Sequence, residues 1–206
     1  MTDHVEPVST PVPELATLDP DPGTLASLRD GLAARAEQDD LLDVGYRVVD
    51  SPLGPLLLAA TDRGLVRVAF ELEDHDAVLA ELGERIGPRI LAAPRRTDAV
   101  ARQLEEYFAR RRRDFQIPVD LRLVQGFRRT VVEHLSGIPY GTTASYARVA
   151  QLAGNPKAVR AVGSACSHNP IPVVLPCHRV VRSDGTIGQY LGGSDAKRAL
   201  LTLEAA

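Results

Sequence analysis

The chain has 206 residues, of which 44% are hydrophobic and 25% charged, and its formal net charge at pH 7 is -3. This composition is typical of a globular protein with one large or two small domains. No run of about 18 apolar residues occurs in the sequence, which excludes a transmembrane helix and leads us to expect no membrane partner.

Charge is distributed unevenly along the chain. Residues 1–44 carry two basic and ten acidic side chains, residues 45–120 carry 12 and 13, and residues 121–206 carry ten and four. The last segment therefore has a net charge of +6. A basic segment on an acidic chain indicates a negatively charged partner such as nucleic acid, although a solvated basic face would have the same composition.

The first 44 residues are predicted to be an acidic, proline-rich extension that is partly disordered. Five prolines and several acidic residues lie within residues 1–22, where apolar periodicity is weak. Residues 23–38 are predicted to form a short amphipathic helix. Its apolar positions are Leu25, Leu28 and Leu32. The extension has no basic, apolar leader, so we expect a cytoplasmic protein whose two cysteines, Cys166 and Cys177, are free thiols.

Residues 45–120 are predicted to form a small sheet domain with helices. Three β-rich runs, YRVVDS, PLLLAAT and LVRVAFE, follow one another, and Asp62-Arg63-Gly64 joins the second and third as a hairpin turn. Helices are expected over about 74–86 and 97–112. This segment therefore predicts an α+β domain around a three-stranded antiparallel sheet.

Residues 121–206 are predicted to be helical, with a helix-turn-helix in the middle. The stretch GTTASYARVAQLAG predicts a helix capped by Ser145 or Thr143 that ends at Gly154. Asn155-Pro156 then has the form of an N-cap followed by a proline in the first turn, and predicts that the second helix begins there. Two helices joined by such a turn are typical of DNA-binding proteins.

The most informative short segment is PCHRV, which places Cys177 directly before His178. A cysteine thiolate is nucleophilic, and a nearby proton acceptor helps to form it. Neighbouring side chains point in opposite directions on a strand, so a Cys–His pair needs a turn, for which Pro176 is suited, or a bridging water. Glu204 is the nearest acidic candidate to orient His178. Taken alone, a Cys-His dipeptide is more often structural than catalytic.

The letters around this dipeptide narrow the possibilities. NPIPVVLPCHRVV, followed by SDGTIGQYLGG, closely resembles the active-site signature of the O6-alkylguanine-DNA alkyltransferases. SYARVAQLAGNPKAVRAVG resembles the DNA-binding helix-turn-helix of the same family. The resemblance implies an α+β fold with a small N-terminal RNase H-like antiparallel sheet domain. It also implies a C-terminal helical domain, of winged or helix-turn-helix type, that binds DNA and holds the active site.

The resemblance assigns four residues to the reaction. Cys177 is the implied alkyl acceptor, and His178 is the implied base that deprotonates it through a water. Glu204 would orient His178. Asn169 is implied to tie the helix-turn-helix to the active-site turn by hydrogen bonds. The implied activity is direct reversal of DNA damage, in which one alkyl group moves irreversibly to the protein.

A second set of residues is implied to bind DNA and to move the damaged nucleotide out of the stack. Tyr146 would help to rotate the nucleotide and would donate to the guanine, and Arg160 would fill the space left in the duplex. Pro156, Lys157 and Ala158 would lie on a recognition helix that enters the minor groove. This role suits a helix whose exposed residues are mostly small.

A third set is implied to form the alkylguanine pocket. The loop containing Tyr190 and Leu191 would face the base, with the Leu191 amide donating to O6. The carbonyl groups of Cys177 and Val180 would accept from its exocyclic amine. Cys166 is expected to pack as a small hydrophobe or to line the pocket rather than to react. Because Leu191 is bulky, it could restrict large O6 adducts.

The expected partner is double-stranded DNA that contains O6-alkylguanine, and O4-alkylthymine remains an open second substrate. Scattered histidines and two cysteines form no recognisable zinc motif, so we expect neither a metal nor a cofactor, and we expect a monomer. Three alternative functions are less compatible with the sequence. A lesion-binding alkyltransferase-like protein would lack the acceptor cysteine. A site-specific regulator would carry long base-reading side chains, and a cysteine hydrolase would need acyl-transfer features absent from this sequence.

Overall fold

A computed structural model describes residues 21–205, so the predicted disordered tail over 1–22 lies almost wholly outside the described residues. The first element is helix α1, Pro22–Gln38, whose N-cap is Asp21. This agrees with the predicted helix, but the predicted apolar face is wrong. Leu28 and Leu32 are exposed, and the helix instead packs through Ala33 and Ala36. Small side chains let the helix backbone approach Ala93 closely, and an ion pair between Glu37 and Arg96 holds the contact.

The sheet of the first domain has four strands rather than the three predicted. Strands β1 (Val44–Val49), β2 (Leu56–Thr61) and β3 (Gly64–Phe70) are antiparallel neighbours. A short strand β4 (Ile90–Ala92) pairs parallel with β1, which gives the order β3-β2-β1-β4. The sequence ILA was too short to register as a strand by its own pattern.

Strand β2 is buried on both faces, and its alternating side chains divide between two apolar layers. Leu57 and Ala59 pack with helix α2 (His75–Arg85), whereas Leu56 and Leu58 join a core cluster that continues into the second half of the chain. Helix α3 (Asp98–Phe108) contributes to the same cluster. Both helices are shorter than predicted, by one residue at each end of α2, and by one residue at the start and four at the end of α3.

The second half contains helices α4 (Gly126–Leu135), α5 (Tyr146–Leu152), α6 (Val159–Ser167) and α7 (Gly193–Glu204). A parallel two-stranded ribbon joins β5 (Ala144–Ser145) to β6 (Val180–Val181). Ser145 is also the N-cap of α5, because its hydroxyl accepts from the Arg148 amide. The ribbon therefore fixes the start of α5 beside the segment that follows Cys177.

The hairpin between β2 and β3 depends on Gly64. Its φ is +133°, and a β-carbon at this position would lie 2.3 Å from the Pro118 carbonyl oxygen. That carbonyl accepts from the Leu65 amide, and the Leu65 carbonyl accepts from the Asp120 amide. The segment IPVD, residues 117–120, is thereby attached to the sheet edge, which places the start of the second half.

We expect Gly64→Ala to lower the free energy of unfolding by at least about 2 kcal/mol, because the new methyl group meets backbone and the φ value is strained for any other residue. Gly83→Ala is the matched control. It lies inside α2, where a β-carbon would be 3.7 Å from Ile90 Cδ1, an ordinary contact. The control should be neutral or stabilise by up to about 1 kcal/mol. Urea denaturation followed by circular dichroism measures both, and equal midpoints would contradict the account of this hairpin.

Candidate active site

Cys177 lies in a tight turn at the end of a buried segment. Pro176 has φ -81° and ψ 63°, and the Cys177 amide donates to the Leu175 carbonyl at 2.8 Å. These are the features of an inverse γ-turn, for which the fixed φ of proline is well suited. A short 3₁₀ helix, Cys177–Arg179, follows at once. The Cys-His pair therefore lies in a turn, as the sequence predicted, and not on an alternating strand.

Asn169 connects this turn to helix α6. Its side-chain amide donates to the Leu175 carbonyl at 2.7 Å and to Cys177 Sγ at 3.2 Å, and its carbonyl accepts from the Ile171 amide at 3.1 Å. Its own main-chain amide donates to the Cys166 carbonyl in α6. Asn169 is fully buried, so these contacts satisfy its polar groups inside the protein.

The Cys177 thiol is protonated at neutral pH. Only 1% of Cys177 is exposed, and this burial raises the pKa of the thiol to about 11 against the opposing effects of the Asn169 hydrogen bond and the Lys197 charge. Desolvation disfavours a thiolate more than these two neighbours favour it. A nucleophile at this position therefore needs a base within the site.

His178 is suited to be that base. Its Nε2 lies 2.9 Å from Glu204 Oε1, and burial lowers the pKa of the imidazole in spite of the Glu204 carboxylate. The ring is therefore neutral at pH 7, with its proton on the Nε2 that faces the carboxylate. Nδ1 is buried and has no hydrogen-bond partner among residues 21–205. This nitrogen keeps its lone pair available to accept a proton.

Glu204 is ionised although it is buried. Burial itself raises the pKa of this carboxyl, but hydrogen bonds from His178, Arg179 and Tyr107 lower it to about 2. Arg179 makes two of these bonds, from Nε to Oε2 at 2.9 Å and from Nη2 to Oε1 at 3.0 Å. The Gly141 amide donates to Oε2 at 3.3 Å. The carboxylate is thus held in one orientation toward His178.

Sequence reasoning missed three residues of this arrangement. Arg179 and Tyr107 bind Glu204, and Lys197 is buried with its ammonium 2.6 Å from the Val180 carbonyl oxygen. Arg179 could have been suspected, because it lies within PCHRV directly after His178. Lys197 stands between Ala196 and Arg198 with Asp195 nearby, so nothing local marks it as buried. Tyr107 has no such signal.

The loop before α7 forms one wall of a cavity of about 540 Å³. Tyr190, Leu191 and Gly188 line it together with Ser167 and Arg182. Tyr190 also contacts the His178 ring edge-on, with centroids 6.4 Å apart. The loop therefore separates the cavity from the imidazole.

Two residues predicted to line the pocket are not among those that line this cavity. Cys166 is buried in the core, and the residue of α6 at the cavity wall is its neighbour Ser167. Val180 is also buried, and its carbonyl, predicted to accept from the base, already accepts from Lys197. The Cys177 carbonyl likewise accepts from the Val180 amide, so each oxygen has one lone pair left.

Tyr146 packs against the pocket loop. It is the first residue of α5 and is half-buried. A β-carbon on Gly188 would be 2.3 Å from the Tyr146 hydroxyl, so this hydroxyl packs directly on the pocket loop. Lys197 Nζ is 6.0 Å from the centre of the Tyr146 ring.

The second helix of the helix-turn-helix begins later than predicted. Asn155 and Pro156 form a turn in which the Ala158 amide donates to the Asn155 carbonyl, and α6 begins at Val159. Pro156, Lys157 and Ala158 therefore lie in the turn before the helix, not on it. Asn-Pro is equally favourable at the first two positions of a type I turn, and that use prevails here.

Arg160, the second residue of α6, points from this element into solvent. It is exposed and makes no hydrogen bond or ion pair within the described part of the chain. Nearby, Lys157 and Pro156 are also exposed. Within the described residues, this element thus presents the cationic side chain of Arg160 to solvent rather than in a surface ion pair.

Within residues 21–205, no three His, Cys, Asp or Glu side chains are grouped so as to hold a metal ion. None of the described helices combines the length and the apolar character needed to cross a membrane.

Two family models match the chain, one in each half. The model described as the ribonuclease-like domain of 6-O-methylguanine DNA methyltransferase matches residues 44–121. The model described as the DNA-binding domain of 6-O-methylguanine DNA methyltransferase matches residues 126–206. The predicted fold class, a small ribonuclease-like sheet domain followed by a helical DNA-binding domain, is confirmed.

Individual proteins support the same assignment. A methylated-DNA–protein-cysteine methyltransferase of Mycolicibacterium paratuberculosis is 42% identical over 161 residues, which are 78% of this chain and 92% of that protein. The mouse protein of that name is 37% identical and covers 76% of this chain and 78% of its own. The crystal structure of Mycobacterium tuberculosis OGT in complex with DNA has a TM-score of 0.69 and 39% identity, covering 78% of this chain and 92% of that one. The chain belongs to the 6-O-methylguanine DNA methyltransferase family.

Proposed function

We propose that this protein repairs double-stranded DNA by moving the alkyl group of an O6-alkylguanine to Cys177 Sγ, once per molecule. One observation carries the proposal. The buried thiol of Cys177 lies in a turn beside a neutral His178 that is anchored by an ionised Glu204. The names of the relatives, methylated-DNA–protein-cysteine methyltransferases, support the same reaction.

The reaction begins with a proton transfer. His178 Nδ1 accepts the Cys177 proton through a bridging water, and Glu204 stabilises the imidazolium that forms. The thiolate then attacks the alkyl carbon in line with the bond to O6. The new S–C bond forms as the C–O6 bond breaks, and the electron pair of that bond leaves with the guanine. The guanine anion then takes up the proton that His178 had accepted from Cys177.

Charge that develops on the guanine needs donors close to O6. The proposed donors are the Tyr146 hydroxyl, which packs on Gly188, and the Leu191 amide of the pocket loop. Burial raises the pKa of the Tyr146 hydroxyl, so it remains protonated and able to donate at neutral pH. Such fixed donors act on the leaving group as an oxyanion hole acts on a carbonyl oxygen.

The reacting carbon lies inside an intact duplex, so the nucleotide must leave the stack first. Flipping costs a few kcal/mol, which contacts in the complex must offset. Arg160, exposed and unpaired among the described residues, would fill the vacated space, and Tyr146 would crowd the flipped nucleotide. Pro156, Lys157 and Ala158 of the preceding turn would accompany Arg160 into the minor groove.

The transfer is stoichiometric. A thioether at Cys177 is not cleaved by water under ordinary conditions, and the proposed chemistry has no step that would regenerate the thiol. Each molecule is therefore expected to repair one base and then to remain alkylated.

Mass spectrometry after incubation with excess O6-methylguanine duplex tests the proposal. We expect a single methyl adduct on the Cys177 peptide, none with unmodified duplex, and none in Cys177→Ala. Cys166→Ala removes the other cysteine thiol and should still yield the adduct. Tight lesion binding without a change in mass would instead indicate a lesion-recognition protein, and an adduct on Cys166 would show that the acceptor is misassigned.

The transfer rate should depend on His178 being neutral. Burial lowers the pKa of this imidazole below its ordinary value of 6.5, so the rate at saturating duplex should be constant near pH 7 and fall only below pH 6.5. Single-turnover assays across the acid range measure the position of this acid limb. A limb centred at or above pH 6.5 would contradict a buried neutral imidazole as the base.

Gly188→Ala should slow the transfer, because the added methyl group would meet the Tyr146 hydroxyl. A displaced Tyr146 is expected to lower the single-turnover rate by about 10- to 100-fold. Gly137→Ala is the control, since the only atom within 4 Å of a β-carbon there would be the His134 carbonyl oxygen, at 3.4 Å. Equal rates for the two variants would show that the close packing of Tyr146 on Gly188 is unimportant.

A further inference from the structure

Tyr107 is a buried tyrosine of the first domain whose hydroxyl reaches the active site of the second. It lies in α3, is fully buried, and donates from its hydroxyl to Glu204 Oε1 at 2.6 Å. The residues are 97 positions apart in sequence. The proposed chemistry makes no use of Tyr107, so its contact with the carboxylate needs an explanation.

The same oxygen of Glu204 receives three donors. Besides the Tyr107 hydroxyl, they are His178 Nε2 at 2.9 Å and Arg179 Nη2 at 3.0 Å. The Tyr107 contact is the shortest of the three. Donors that share one oxygen compete for its charge, so a strong phenol hydrogen bond weakens the attraction of Oε1 for the Nε2 proton.

Tyr107 can act only as a donor, and its position is fixed. Burial, followed by its hydrogen bond to Glu204, raises the pKa of this hydroxyl far above its ordinary value. The ring is packed among other aromatic rings, with centroid distances of 5.4 Å to Phe108, 5.3 Å to Phe115 and 6.1 Å to Tyr140. Its hydroxyl therefore has one direction and one protonation state over the working pH range.

We propose that Tyr107 is a positioning residue by which the ribonuclease-like domain sets the basicity of His178. Its hydroxyl withdraws charge from Glu204 Oε1, and a carboxylate with less charge stabilises the protonated imidazole less. His178 then stays neutral to a lower pH. The proposal rests on the proposed role of His178 as the base for Cys177.

Other titratable or charged groups also face the His178–Glu204 pair, and a substitution at Tyr107 leaves them in the chain. They are Cys177 and Arg179 of the turn, Tyr190 of the pocket loop, and Lys197 of α7. The Arg179 and Lys197 charges both lower the pKa of His178. A shift seen on removal of the Tyr107 hydroxyl alone can thus be assigned to that hydroxyl.

Tyr107→Phe should move the acid limb of the single-turnover transfer rate about one unit to higher pH, since Glu204 then stabilises the imidazolium more strongly. The His178 titration, followed by ¹⁵N NMR in the unalkylated full chain, should move by the same amount. Tyr140→Phe is the matched control. It removes a tyrosine hydroxyl from the same aromatic cluster, but one that donates to the Leu203 carbonyl and not to Glu204. Its limb should coincide with that of the wild type.

A lower melting temperature for Tyr107→Phe with an unmoved limb and an unmoved His178 titration would overturn the proposal, because it would leave Tyr107 a structural role only. If Tyr107→Phe does not fold, 3-fluorotyrosine in place of Tyr107 provides a second test. The fluorinated phenol is a stronger donor, so both readouts should then move to lower pH, and no movement or the opposite movement would overturn the proposal. Failure of the proposed function would be visible separately, as a wild-type protein without an adduct at Cys177.

Discussion

An ionised carboxylate inside the protein, that of Glu204, is the constraint on which the arrangement around Cys177 depends. A buried charge is costly unless donors satisfy it. Glu204 receives donors from α3, from the active-site turn and from the Gly141 amide, and these bonds lower its pKa to about 2 although burial opposes this. The end of α7 is therefore bound to three separate parts of the chain. Removal of any one donor would leave the Glu204 carboxylate with fewer hydrogen bonds to stabilise its charge.

Burial makes the Glu204 charge costly, and it also keeps Cys177 unreactive. A thiol whose pKa is raised to about 11 is a poor nucleophile at neutral pH, and so it resists adventitious alkylation and oxidation in the resting protein. The base that would release the proton is also buried, and its reactive nitrogen faces no protein donor within residues 21–205. Reactivity is thus confined to a substrate that fits the site.

Structural features that depend only on neighbouring residues were the ones that the sequence predicted best. Pro176 restricts its own φ, so a turn at PCHR follows from neighbouring residues alone, and a cap at Ser145 does too. The Asn155-Pro156 pair is also a local feature, but it is favourable both at the start of a helix and in a turn. The conformation of Ala158 shows that it forms a turn here. The side on which α1 docks was left open by the sequence. Leucines at helical spacing indicate an apolar face, yet Ala33 and Ala36 fit the space beside Ala93.

The contacts that could not be predicted are those that join distant segments. Nothing in EEYF distinguishes Tyr107 from any apolar residue of an amphipathic helix, and its partner lies near the end of the chain. Strand β4 is similar, because three residues are too few to show a period and its pairing with β1 is set by packing. Family resemblance pointed to Cys177 and His178 through their motif, whereas Glu204 was chosen as the nearest acidic residue. It could not reach residues whose contribution lies in tertiary contact.

The hydrogen bond from Asn169 to Cys177 Sγ has a consequence for the fate of the molecule after reaction. The sulfur is almost wholly enclosed, so an added alkyl carbon needs room that the resting packing does not provide. In the proposed reaction the product would therefore have to loosen the contact that joins α6 to the active-site turn. Spent and unspent molecules would then differ in rigidity as well as in mass.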